Sequence, residues 1–100
     1  MRARCIWLDG GLVKACRVLR ARLEPLGYRV ICRFRLPDAE ILRLAWLQGC
    51  IVATTDKWMS LLARLTGMPV TVVHVPQERV EAKSSRDLAT LVIKATLGRR

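Results

Sequence analysis

The sequence predicts an α/β domain in three layers, with a parallel four-stranded sheet between helices. Two observations carry this expectation. Four short apolar stretches, "CIWL" (5 to 8), "YRVICRF" (28 to 34), "CIVAT" (50 to 54) and "VTVVHV" (70 to 75), alternate with segments of helical periodicity. The strands are also apolar almost throughout, as expected of a sheet covered on both faces. At 100 residues the chain suits one domain over positions 1–100.

The elements follow in order. After the first strand, Leu12, Ala15, Cys16, Leu19, Leu23 and Leu26 form one helix face, while Lys14, Arg17, Arg20 and Arg22 lie off it. Pro25 and Gly27 end this helix. Pro37 suits the first turn of a second helix, with Asp38, Ile41, Leu42 and Ala45 on one face and Gly49 beyond its end. A third helix starts near Asp56, with Trp58, Leu61, Leu62 and Leu65 on its apolar side and "TGMP" closing it. Residues 77 to 83 read as a polar loop. In "SSRD", Ser84 or Ser85 caps a last helix over about 84–97 that carries Leu88, Leu91, Val92 and Ala95.

Right-handed crossovers between these elements give the strand order 2-1-3-4. The first and third strands are then central neighbours, and their carboxyl ends form the switch-point crevice where open α/β sheets bind ligands. The fourth strand lies at an edge whose apolar "VTVV" needs cover from the last helix or from a second copy, so a homodimer is expected.

Composition sets further bounds. Although 52% of residues are hydrophobic, no apolar run approaches the roughly 18 residues of a membrane span. Asp9 and two glycines follow Arg2 and Arg4 closely, unlike a targeting segment, so no membrane association and a cytoplasmic location are expected. Lys and Arg number 18 against eight Asp and Glu, a net charge of +10. That excess suits a polyanion, and equally an ordinary solvated surface.

Cys5, Cys16, Cys32 and Cys50 contain no C-x-x-C pair, and His74 is the single histidine, which argues against zinc. Small buried hydrophobe is the default role of the cysteines, with disulfides expected inside cells only in a hyperthermophile. Trp7 and Trp46 read as core or partner-contact residues, and His74 as a packed or edge residue.

The topology places Asp9 after the first strand and Asp56 after the third, both at the crevice rim. Asp38, in the first turn of the second helix, leans toward the same place, whereas Glu40 points about 160° around that helix and is the weaker additional acid. Hard oxygen ligands gathered this way suit Mg²⁺ or Mn²⁺. Each residue also has a purely structural account: Asp56 as an N-cap, Asp38 as a first-turn charge, Asp9 as a turn residue.

"CIWLDGGL", "LGYRVI", "DAEILRLA" and "CIVATTDKW" together resemble the successive signatures of short PIN-like domains over roughly residues 3 to 75. The resemblance implies metal-binding and catalytic roles for Asp9, Asp38 and Asp56, with Thr54 as the threonine of a Thr-x-Asp motif. It also implies a metal-dependent ribonuclease, often the toxin of a toxin and antitoxin pair. The chain departs from the pattern at Gly10 and Trp58, where related sequences often carry acids, at Thr55, where an arginine is common, and at Arg29, where an aspartate is frequent.

The expected function is therefore Mg²⁺- or Mn²⁺-dependent hydrolysis of RNA, with Lys14, Arg17 and Lys57 holding the phosphate backbone and an antitoxin as a further partner. The alternative expectation is a PIN-like module that binds RNA or a protein without cleaving. A receiver-like phosphoacceptor is disfavoured, because paired acids after the first strand and a fifth strand with a terminal lysine are missing.

Overall fold

The computed structural model describes residues 4–32 and 35–98. The chain runs through β1 (Cys5–Asp9), a 3-10 segment (Gly10–Ala15), α1 (Cys16–Leu23), a short 3-10 turn (Glu24–Leu26) and β2 (Arg29–Cys32). It continues through α2 (Asp38–Gln48), β3 (Ile51–Thr54), α3 (Lys57–Thr66), β4 (Val72–His74), α4 (Gln77–Val80) and α5 (Ser85–Thr96). All three strand pairings are parallel and the sheet order is β2-β1-β3-β4, as the alternation of elements predicts. Arg33 and Phe34, expected at the end of the second strand, lie outside the described residues.

Period-2 alternation divides the sheet between two cores. Ile6, Leu8, Val30 and Ala53 face one way and pack with Leu19 and Leu23 of α1 and Leu88, Ala89 and Val92 of α5. Cys5, Trp7 and Val52 face the other way, against Ile41, Leu42 and Ala45 of α2 and Met59 and Ala63 of α3. Trp7 is fully enclosed, whereas Trp46 is half exposed on the outer side of α2. Among the described residues no helix is long and apolar enough to cross a membrane.

Local chemistry fixes the helix ends. Ser84 Oγ accepts a hydrogen bond from the Asp87 amide at 3.1 Å, capping α5. Gly49 (φ 70°) stops α2 in the left-handed conformation that a side chain would disfavour.

Three expectations are corrected. The stripe Trp58–Leu61–Leu62–Leu65 is not the buried face of α3: Met59 and Ala63 are buried, with Leu62 packed beside them, while Trp58 and Leu65 are 60% and 75% exposed. The buried strip of α3 is therefore narrower than its apolar arc. The loop expected over 77 to 83 opens with a four-residue helix, Gln77–Val80, seeded by Pro76 at its N-cap.

The cysteines, third, are not free thiols. Cys5 and Cys50 precede Ile6 and Ile51, which are paired in register, so the two central strands bring them abreast and they form a disulfide. A second disulfide joins Cys16, at the start of α1, to Cys32, at the end of β2. By loop closure alone, bridges spanning 45 and 16 residues contribute about 4 and about 3 kcal/mol respectively.

Candidate carboxylate site

Strand register assembles the rim. Asp9 pairs with Thr54 and Thr54 with His74, so the three stand abreast at the carboxyl edge of the sheet. They continue the face that bears Trp7, Val52 and Val72, the side covered by α2 and α3.

Thr54 is completely buried. Its hydroxyl donates to Asp9 Oδ2 at 2.9 Å and accepts from the Asp56 amide at 3.0 Å. The hydroxyl thereby uses its donor and one acceptor lone pair, and the first carboxylate is oriented by the strand that leads to the second. Asp56 is the N-cap of α3: its Oδ1 accepts from the Trp58 amide at 2.9 Å. The structural role of Asp56 thus coexists with its place on the rim.

Asp38 arrives from the first turn of α2, whose Ile41, Leu42 and Ala45 seat the helix on the sheet. Its carboxyl is held above the ordinary 3.8, first by burial, then by the negative charges of Asp56 and Asp9 and by a hydrogen bond that its protonated form makes with Asp56. The three aspartates therefore feel one another. Glu40 does not join them: it is bonded to Arg43 at 2.6 Å on the exposed side of α2, and that bond lowers its pKa. Among the described residues this is the sole ion pair, so none of the three aspartates has a cationic partner there.

The departures from the PIN-like pattern interlock. Gly10 adopts φ 66°, and a Cβ on it would come within 2.5 Å of Thr55 Oγ1. That same oxygen accepts from the Gly11 amide at 3.2 Å. Gln77 lies against the other side of the turn, its Oε1 2.8 Å from where a Cβ of Gly11 would stand. An acid in place of Gly10 is thus disfavoured by the left-handed backbone and by Thr55. The sequence carried no signal for this contact, since Gly11 and Thr55, bonded beside it, are 44 positions apart.

Beside Asp56, on the β4 side, an open cavity of about 370 Å³ is lined by Thr55, Asp56, Trp58, His74, Gln77 and Glu78. His74 Nε2 lies 3.2 Å from the Thr55 carbonyl oxygen, which only accepts, so Nε2 carries the proton. Lys57 Nζ sits 5.3 Å from the Trp58 ring centroid. Of the expected backbone-binding cations, Lys57 is at this rim and Arg17 is exposed on α1. The Lys14 ammonium instead donates to the carbonyls of Val80 and Lys83 at 3.1 and 2.9 Å, clamping the end of α4.

All three aspartates offer hard oxygen donors, uncompensated among the described residues, which fits a small divalent cation in kind. Among the described residues no three His, Cys, Asp or Glu side chains are drawn together closely enough to hold an ion as they stand. No family model, curated protein or solved structure matches this chain.

Proposed function

We propose that the chain is a Mg²⁺- or Mn²⁺-dependent ribonuclease of PIN-like type. The observation that supports it is the convergence of Asp9, Asp38 and Asp56 at the switch point of a 2-1-3-4 parallel sheet, in a chain whose net charge is +10. A bound divalent cation supplies charge neutralisation at the phosphate and acidifies an attacking water.

The protein's own groups do the rest. Thr54 holds the Asp9 carboxylate by one oxygen and leaves the other for a ligand. Asp56 keeps its Oδ1 on the helix amide. The Asp38 carboxyl, its pKa raised by burial and by the charges of Asp56 and Asp9, would gain most from a cation that offsets this crowding of negative charge. Lys57 and Arg17 attract the RNA backbone without reading its sequence.

Mg²⁺-dependent cleavage of single-stranded RNA is expected from the wild type, and its loss from Asp9→Asn and Asp56→Asn proteins that remain folded. Full cleavage by a rigorously purified double variant would falsify the metal-site reading.

Gly10, where the turn and Thr55 disfavour an acid, favours a second reading: a PIN-like module that binds RNA or a protein without cleavage. It predicts salt-dependent RNA binding with no turnover in either metal. In both readings an antitoxin-like partner and a second copy of the chain, covering the β4 edge, complete the assembly. A monomer by light scattering would remove the second copy. The proposed location is the cytoplasm of a cell whose interior tolerates disulfides, as in hyperthermophiles; reduced cysteines in protein trapped with an alkylating agent in those cells would count against it.

A further inference from the structure

Trp58 is poorly explained by folding. Its neighbour Met59 is completely buried, yet the indole is 60% exposed at the mouth of a polar cavity beside Asp56. The Lys57 ammonium engages the ring at 5.3 Å, which fixes the indole from one side and places a positive charge where a phosphate would pass. The cavity, about 370 Å³, lies within the range of roughly 300 to 1,000 Å³ typical of small-ligand sites. Opposite walls come from Gln77 and Glu78 in the first turn of α4, and Glu78 is exposed.

We infer that this cavity is a nucleobase subsite, in which Trp58 stacks on an unpaired guanine whose Watson–Crick edge meets Glu78. The aromatic face is sequence-tolerant, since every base can stack. Selectivity comes from the carboxylate, which offers acceptors only. Guanine alone presents two adjacent donors, N1–H and the N2 amino group; adenine, cytosine and uracil each place an acceptor beside their donor. Asp56 does not offer two free oxygens to this pair of donors, because its Oδ1 already accepts from the Trp58 amide. Gln77 is drawn toward Gly11 at the neighbouring turn. The inference rests on the ribonuclease reading only for its choice of RNA as ligand, and it makes no use of a metal.

The test is binding of fluorescein-labelled hexanucleotides, oligouridylate with one central guanosine or one central adenosine, to the full chain in EDTA. Wild type is expected to prefer the guanosine RNA. Trp58→Ala should weaken that binding roughly 5- to 150-fold, the range of one lost base–aromatic stack, and Trp58→Phe should restore part of it. Glu78→Gln should remove the preference for guanosine while retaining most of the affinity. Unchanged binding by Trp58→Ala overturns the proposal, as does a guanosine preference that survives Glu78→Gln. Near-ultraviolet circular dichroism of each variant separates a lost subsite from a lost fold. Because the binding assay contains no divalent ion, guanosine preference there, together with no cleavage in a separate assay with Mg²⁺ or Mn²⁺, would sink the nuclease and leave the subsite standing. Cleavage that proceeds equally well in Trp58→Ala, with unchanged binding, would do the reverse.

Discussion

Asp9 and Thr54, 45 residues apart, face each other in register across β1 and β3 and share a hydrogen bond of 2.9 Å. The same threonine hydroxyl accepts from the Asp56 amide. One buried oxygen therefore links the Asp9 carboxylate to the backbone of Asp56.

Thr54→Val keeps the shape and removes both bonds. It leaves the Asp56 amide without its acceptor in a region that β3 shields from water, a loss expected to cost about 1 to 3 kcal/mol. Thr54→Ser should recover most of it. Denaturant midpoints of the three proteins check this, and equal midpoints for valine and threonine would refute the bridging role.

Asp38 makes stability depend on pH with a defined sign. Burial, then Asp56 and Asp9, raise its pKa in the folded chain, so the folded state binds this proton more readily than the unfolded one. Stability then declines as pH rises through the interval above 3.8, and the ionised group is unfavourable at neutral pH. Asp38→Asn should stabilise the protein at neutral pH by less than about 1 kcal/mol, in keeping with partly solvated charges. The gain should fade as the medium is acidified toward that value. A variant less stable at neutral pH than the wild type would contradict the charge crowding.

Asp56 carries two roles that substitution can separate. Asparagine caps a helix as well as aspartate does, so Asp56→Asn should shift stability by only a few tenths of a kcal/mol, while Asp56→Ala should cost about 1. Both should lose metal-dependent cleavage. Thermal unfolding set beside a cleavage assay distinguishes the cap from the ligand.

Gly10→Asp would supply the acid that related sequences often carry there. The left-handed backbone and the Thr55 hydroxyl in the path of its Cβ predict destabilisation by more than about 1 kcal/mol and no gain in cleavage. Adding Thr55→Ala should relieve part of the loss, measured by chemical denaturation. A fully stable single variant would show that the turn is more accommodating than its geometry indicates.

The parts legible in the sequence share one property: they follow from periodicity and chain order. Strand order placed Asp9 and Asp56 on one edge, and the rule that helices begin where strands end brought Asp38 to it. What escaped depends on lateral register or on competition for burial. Thr55 beside Gly11, and Cys5 beside Cys50, are neighbours only because parallel strands align them. Residues 77 to 80 are too few to display a period. Trp58 looked like core because hydrophobicity alone cannot say which part of a broad apolar arc finds a floor.

The central strand pair is tied at both ends, covalently at Cys5–Cys50 and through Thr54 to Asp9 at the rim. It behaves as a fork with a welded base and a pinned mouth, whose prongs have little room to spread. Asp38 enters from the first turn of α2, whose backbone bond to that fork is made at its other end, where the Cys50 amide donates to the Ala45 carbonyl at 2.8 Å, so any closing of the rim around a ligand falls to the start of α2. The site then has two pinned walls and a third whose backbone bond to them lies at its far end, and that third wall carries the carboxyl whose pKa the other two raise.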